Sequence, residues 1–243
     1  MTWIMTATGR RVDFLRPDVN EITLSDIGIS LSRVARFGGH SPLKIGQHVC
    51  EVATLMMMRA TEQGMSEKEI AEAGIVGLVH DFPEAYCCDV MTPLKRLLGT
   101  AYSDIEARLH DVIVKRFELE GLFEKYHDLL KWADFQAVTE EARRYSLDGK
   151  YVSEITGELE DRPHQWTDPN AEAFLSDTIW EDEEDRQYAV IMTFMRLMLA
   201  TGRGYVLTPK TTGIPGTSVD MVRETTEDLM PMPPILLSGD VYF

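Results

Sequence analysis

The stretch Ser66-Glu67-Lys68-Glu69-Ile70-Ala71-Glu72-Ala73-Gly74-Ile75-Val76-Gly77-Leu78-Val79-His80-Asp81-Phe82-Pro83 decides the fold class. Ser66 followed three residues later by Glu69 has the form of a capping box, in which each side chain satisfies a backbone N–H of the other at a helix start. Ile70, Gly74, Gly77 and Leu78 then recur at helical spacing, and Pro83, which lacks an N–H, stops the run. Gly74 and Gly77 on the inner face invite close approach by a second helix. His80-Asp81 interrupts this apolar face at its C-terminal end.

Outward from this helix the pattern repeats. Leu43 to Gln63 places Ile45, His48, Val49, Val52, Leu55 and Met56 on one stripe and is stopped by Gly64. Thr23-Leu24-Ser25-Asp26 reads as a capping box opening a helix to about Phe37, after which Gly38-Gly39-His40-Ser41-Pro42 forms a loop. Ser103 and Glu106 predict a cap for a helix to about Leu119, and Leu122 to about Tyr145 reads as one long helix. Residues 1–22 form an irregular or short-hairpin lead-in with a turn at Thr8-Gly9. The span 153–185 is acidic and reads as mixed loop with short helices. Tyr188 to Leu199 is an apolar helix whose face needs a covering surface, either a second copy of the chain or the chain's own body. The last forty or so residues hold five prolines without a clear period and read as an irregular tail. The expectation is an all-α bundle over residues 1–150 with an acidic C-terminal extension over 151–243.

Composition narrows the function classes. With 243 residues and 44% hydrophobic content, the chain can bury a sizeable core. Its net charge of −16 argues against wrapping duplex nucleic acid, which demands Lys and Arg against phosphates. No apolar run approaches the roughly 20 residues needed to span a bilayer. The opening MTWIMTATGRRVDF lacks the basic-then-apolar pattern of a secretory leader, so cytoplasmic residence is the expectation. Cys50, Cys87 and Cys88 show neither a disulfide framework nor zinc-type spacing. Two windows, 27–50 and 90–103, contain no acid but carry Arg33, Arg36, Lys44, Lys95 and Arg96, a pattern that suits a small phosphorylated ligand or ordinary surface cations.

Three polar interruptions of otherwise apolar faces carry the chemistry: His48, the His80-Asp81 pair, and Asp134 beside Phe123, Leu130 and Ala137. A carboxylate on an apolar stripe is costly unless paired or bound to a metal. Neutral imidazoles and carboxylates can hold a divalent cation with a position left open for water. Adjacent His-Asp alone is uninformative, since the chain has three such pairs. His110-Asp111 reads as a solvated helix face, and His127 shares the face of Asp134 and stands as a reserve ligand.

Ser32-Arg33-Val34-Ala35-Arg36-Phe37-Gly38-Gly39-His40, Gln47-His48, His80-Asp81-x-x-Glu84-Ala85-Tyr86, Asp89-Val90-x-Thr92-Pro93-Leu94-Lys95 and Trp132-Ala133-Asp134 together resemble the HD-domain nucleotide phosphohydrolases. The likeness is nearest to the branch of bacterial 5′-deoxynucleotidases and phage dATP triphosphohydrolases, and covers roughly residues 5–145. It implies metal ligation by His48, His80, Asp81 and Asp134, with Glu84 positioning water or passing a proton to the leaving oxygen. It further implies substrate contacts from Arg36, Phe37 (in place of a common Trp), His40, Asp89 and Lys95. The cofactor would be a divalent ion (Co, Mn, Zn, Ni, Fe or Mg), which this donor set does not choose. The implied partner is a small nucleotide, preferably a deoxynucleoside triphosphate and otherwise a monophosphate; a homo-oligomer is expected separately, from the apolar Tyr188–Leu199 face. A signalling-nucleotide hydrolase and a non-catalytic HD-fold binding protein are the other readings.

Overall fold

The computed structural model of the chain describes residues 1–144, 183–202, 206–209 and 219–222. It is an all-α bundle with two small antiparallel strand pairs. At the N-terminus β1 (Trp3–Met5) pairs with β2 (Arg11–Asp13), Trp3 opposite Asp13, around the expected turn. The helices are α1 (Leu24–Leu31), α2 (Ile45–Glu62), α3 (Glu67–Val79), α4 (Glu84–Cys87), α5 (Thr92–Leu98), α6 (Thr100–Arg116), α7 (Leu122–Lys125), α8 (His127–Arg144) and α9 (Glu183–Ala200).

The Ser66 box forms as its residues dictate. Glu69 N–H donates to Ser66 Oγ at 3.4 Å, and Ser66 N–H donates to the Glu69 carboxylate at 3.1 Å. The two inner glycines of α3 do what their size permits. A Cβ on Gly77 would lie 2.7 Å from Ala53 Cα, and one on Gly74 would lie 2.8 Å from Met57. Backbone contact between α2 and α3 sets His48 opposite His80-Asp81.

α9 lies against α1, α2 and α3 and completes the core. Phe194 stacks with Phe117 and Phe82 at 4.8 and 6.0 Å, all three rings fully or nearly buried. The apolar face of Tyr188–Leu199 is therefore covered by the chain's own body, and it supplies no argument for self-association. Among the described residues no helix is long and apolar enough to cross a membrane.

Several boundaries differ from the sequence reading, each for a local reason. The first helix stops at Leu31 rather than Phe37: the chain turns out of it at Ser32-Arg33, Arg36 is extended (φ −81°, ψ 155°), and Phe37, Gly38 and Gly39 then take φ of 53°, 62° and 83°. That left-handed run cannot continue a helix. Hydrogen bonds from Arg36 N–H to Leu43 O and Ile45 N–H to Val34 O pin the loop instead. Ser103 lies inside α6, which starts at Thr100 after Gly99 with φ 65°, so it caps nothing. The long helix from Leu122 is two helices broken at Tyr126, where Lys125 and the Tyr126 hydroxyl both donate at 3.0 Å to the buried Glu72 of α3. In the tail, β3 (Val206–Pro209) pairs antiparallel with β4 (Val219–Val222), so this part is not irregular. The acidic span 153–182, the long helix's last residue Tyr145 and the remainder of the tail lie outside the described residues.

Candidate metal centre

Each side chain of the expected set arrives from its own element. His48 sits one turn into α2 and is fully buried. His80 caps α3 and Asp81 follows it; Asp134 projects from the second turn of α8. Nε2 of His48 is 3.3 Å from Asp134 Oδ1 and 3.5 Å from Asp81 Oδ2. Nε2 of His80 is 3.9 and 3.1 Å from the same two oxygens. His48, His80 and Asp134 could hold a metal ion, their donor atoms all lying within 4.8 Å of one another, and Asp81 closes the same cluster.

The orientation of these groups fits a cation better than a hydrogen-bond network. Both Nε2 atoms are buried and, though near carboxylates, complete no hydrogen bond. The Nδ1 of His80 lies 2.7 Å from Gly77 O. A carbonyl only accepts, so that nitrogen carries the proton and the Nε2 lone pair of a neutral ring faces the cluster. Burial and Arg36 act to lower the pKa of His48, but Glu141, Asp134 and Asp81 outweigh them and hold it well above the ordinary imidazole range. In Asp81, burial opposes ionisation while His80 and His48 prevail and hold it well below the usual carboxylate range. Asp134 is lowered likewise, the two imidazoles overcoming burial. The proton held on His48 thus balances part of the charge that a divalent ion would balance.

Glu84 turns back toward this cluster as the first residue of α4, its N–H bonded to Asp81 O at 3.0 Å. It is buried, its Oε2 has no hydrogen-bond partner among the described residues, and burial, reinforced by Asp81 and Asp89, pushes its pKa up to about 10. A carboxyl that keeps its proton at neutral pH can donate it. Asp89 is also raised, chiefly by burial, and stands 4.0 Å from an Arg36 guanidinium nitrogen.

The expected substrate contacts are less open than the sequence suggests. Arg36 is buried, its Nε–H donating to Glu141 at 3.1 Å, with its guanidinium carbon 5.5 Å from the centre of the half-buried Phe37 ring. Lys95 donates to Glu106 at 2.8 Å and Arg33 to Glu183 at 2.6 Å, so cations of both acid-free windows are already paired. His40 is exposed on the loop whose Gly38 faces Met91. His127 is exposed and bonded to its neighbour Asp128 at 3.0 Å, so it does not join the cluster. His110 is not on a solvated face: its ring meets Phe123 edge-on at 4.5 Å, and burial, with a smaller contribution from His80, lowers its pKa. A groove of about 750 Å³ lined by Arg59, Lys125, Tyr126 and Trp132 shares no residue with the cluster, and its cations are paired with Glu62, Glu69 and Glu72.

Glu141 escaped the sequence reading. It is buried on α8, seven residues and two turns beyond Asp134, and contacts both His48 and Arg36. That spacing is the signal that could have found it, since residues seven apart share a helix face.

The fold and cluster define a helical bundle with a partly buried His/Asp site. No protein-family model matches the chain. It is 30% identical over 150 residues to the uncharacterized protein YfdR of Escherichia coli (strain K12), which covers 61% of this chain and 75% of that protein. An uncharacterized protein of Rhodobacter capsulatus is 30% identical over 122 residues, 49% of this chain and 60% of that one. The chain belongs to the same family as YfdR.

Proposed function

We propose that this chain is a metal-dependent phosphohydrolase of the HD type that cleaves small deoxynucleotides at the α-phosphorus and releases the deoxynucleoside. The observation that carries this reading is the convergence of two inward Nε2 atoms with Asp81 and Asp134, beside the buried Glu84 carboxyl, whose Oε2 has no partner among the described residues. A divalent cation held by those four side chains would acidify a bound water and offset phosphate charge. Glu84 hands its proton to the nucleoside 5′-oxygen as the phosphorus–oxygen bond breaks, so the departing group leaves neutral. Asp89 offers a carboxyl to a sugar hydroxyl, Phe37 a ring to the base, and Arg36, His40 and Lys95 positive charge to the phosphate, as the resemblance implies. A structural metal site has no use for an acidic side chain poised beside it, which speaks against a binding protein without activity.

The Gly38-Gly39-His40 loop and the basic windows favour a triphosphate, with dATP the first substrate to try. The pairing of Arg33 with Glu183 and of Lys95 with Glu106 favours the second reading, a 5′-deoxynucleotidase for monophosphates, since fewer cations remain for a longer chain. The test is incubation with deoxynucleoside tri- and monophosphates and signalling nucleotides under Mn, Co, Zn and Mg, followed by chromatography. Deoxynucleoside with intact triphosphate supports the first reading, and deoxynucleoside with orthophosphate from monophosphates supports the second. No turnover with any metal overturns both.

A further inference from the structure

We infer that Glu141 is a positioning residue for the metal centre: by accepting the Nδ1 proton of His48 it turns the Nε2 lone pair inward, while Arg36 holds the carboxylate in place. This inference rests on the metal reading above and deepens it. Glu141 Oε1 lies 2.7 Å from His48 Nδ1, Oε2 receives the Arg36 Nε–H at 3.1 Å, and all three side chains are buried. Both oxygens of the carboxylate therefore accept, and an ionised carboxylate is acceptor-only. The bond to His48 has one direction, with Nδ1 as the donor. His80 receives the same treatment from Gly77 O, so the two imidazoles are oriented by different devices toward one point. Arg36 is thereby tied into the support of the centre, and replacing it alters metal binding before any phosphate arrives.

The geometry makes the consequence of Glu141→Gln specific. Arg36 Nε–H still needs an acceptor, so it takes the amide oxygen, and the amide nitrogen is left against His48 Nδ1. That nitrogen donates, Nδ1 becomes the acceptor, and the His48 proton moves to Nε2, where it blocks the inward lone pair. In Arg36→Gln/Glu141→Gln the amide is free to turn and present its oxygen to Nδ1. Arg36→Met/Glu141→Leu removes the acceptor and the buried charges together, so a fold that tolerates apolar replacement of an ion pair survives it.

Metal-stripped full-length protein is titrated with Mn²⁺ by calorimetry in the absence of nucleotide, with circular dichroism to verify folding. The expected results are a loss of about 10- to 100-fold in affinity for Glu141→Gln and for Arg36→Met/Glu141→Leu. Recovery of most of that loss is expected in Arg36→Gln/Glu141→Gln. Wild-type affinity in Arg36→Met/Glu141→Leu overturns the inference. A loss in Arg36→Gln/Glu141→Gln as large as in Glu141→Gln, or as in Arg36→Met/Glu141→Leu should Glu141→Gln fail to fold, overturns it too, because support without a defined hydrogen-bond direction would not be rescued. Failure of the wild-type protein to take up Mn²⁺ instead removes the metal reading itself, and this inference with it.

Discussion

Replacing Gly77 by Ala should damage both the fold and the metal centre, while the same change at Gly74, one turn away, should be mild. At Gly77 the added methyl would lie 2.7 Å from Ala53 Cα and 2.9 Å from Ala53 N, so the obstacle is backbone. Restoring ordinary contact at 3.4 Å requires α2 and α3 to part by about 0.7 Å, the difference between 3.4 and 2.7 Å. Overpacking of this kind costs roughly 1–3 kcal/mol, and a rigid neighbour places it at the upper end. Alanine's better helix propensity returns up to about 1 kcal/mol. The net expectation is about 2 kcal/mol, which for a chain of this size lowers Tm by roughly 4–8 °C. At Gly74 the neighbours are side-chain atoms, Cγ and Sδ of Met57 and a methyl of Leu197, which can move by rotation where a backbone cannot, so the two effects nearly cancel. Because His48 lies on α2 and His80-Asp81 end α3, the parting in Gly77→Ala also spreads the ligands and weakens Mn²⁺ binding. Thermal melting with and without metal reads both effects. Equal Tm values for the two variants would refute the claim that α2 and α3 touch through Gly77.

Phe194→Ala should cost about 3–5 kcal/mol in urea denaturation, since its ring fills the space between Phe82 and Phe117; a cost under 1 kcal/mol would mean that α9 does not complete the core. Brief iodoacetamide treatment near pH 7.5 should label Cys88, which is exposed, and leave Cys50 and Cys87 unmodified, because burial pushes both thiols up to about 12 and so keeps them protonated; mass spectrometry of peptides reads the pattern, and rapid labelling of Cys50 would contradict it. In EDTA-treated protein, the raised pKa of His48 contributes stability that is fully present below about pH 6.5, its unfolded value, and is lost as pH rises through the folded value. Tm should accordingly fall between pH 6.5 and alkaline conditions, and His48→Asn should remove that slope; a slope unchanged in His48→Asn would show that another group is responsible.

The all-α class was legible because helical signals are local: the Ser66/Glu69 box, the stripe through Ile45 and Val52, and the stop at Pro83 each act within a few residues. The three-helix convergence of His48, His80-Asp81 and Asp134 was legible for a related reason, since a polar group on an apolar face must be compensated somewhere. What escaped was set by distant partners. Tyr126 breaks the long helix where Glu72, more than fifty residues earlier, draws Lys125 and Tyr126 onto α3. Arg36, Lys95 and Arg33 looked available in acid-free windows, yet Arg36 and Arg33 meet carboxylates remote in sequence and Lys95 meets Glu106 on the next helix. Glu141 could be placed on the face of Asp134 by spacing, but its pairing with both Arg36 and His48 follows only from tertiary structure. The left-handed φ of Phe37 was hidden because bulky aromatics seldom adopt it, and the backbone there is held by the bonds that close the 34–45 loop.

In the proposed function His48, His80, Asp81 and Asp134 surround one divalent cation. Anomalous scattering at the zinc edge from crystals grown with one equivalent of Zn²⁺ tests it most directly. The expected result is a single strong peak about 2.0–2.2 Å from Nε2 of His48, Nε2 of His80 and a carboxylate oxygen of each aspartate. A peak elsewhere with these four side chains unliganded, or no bound ion at all, would contradict it.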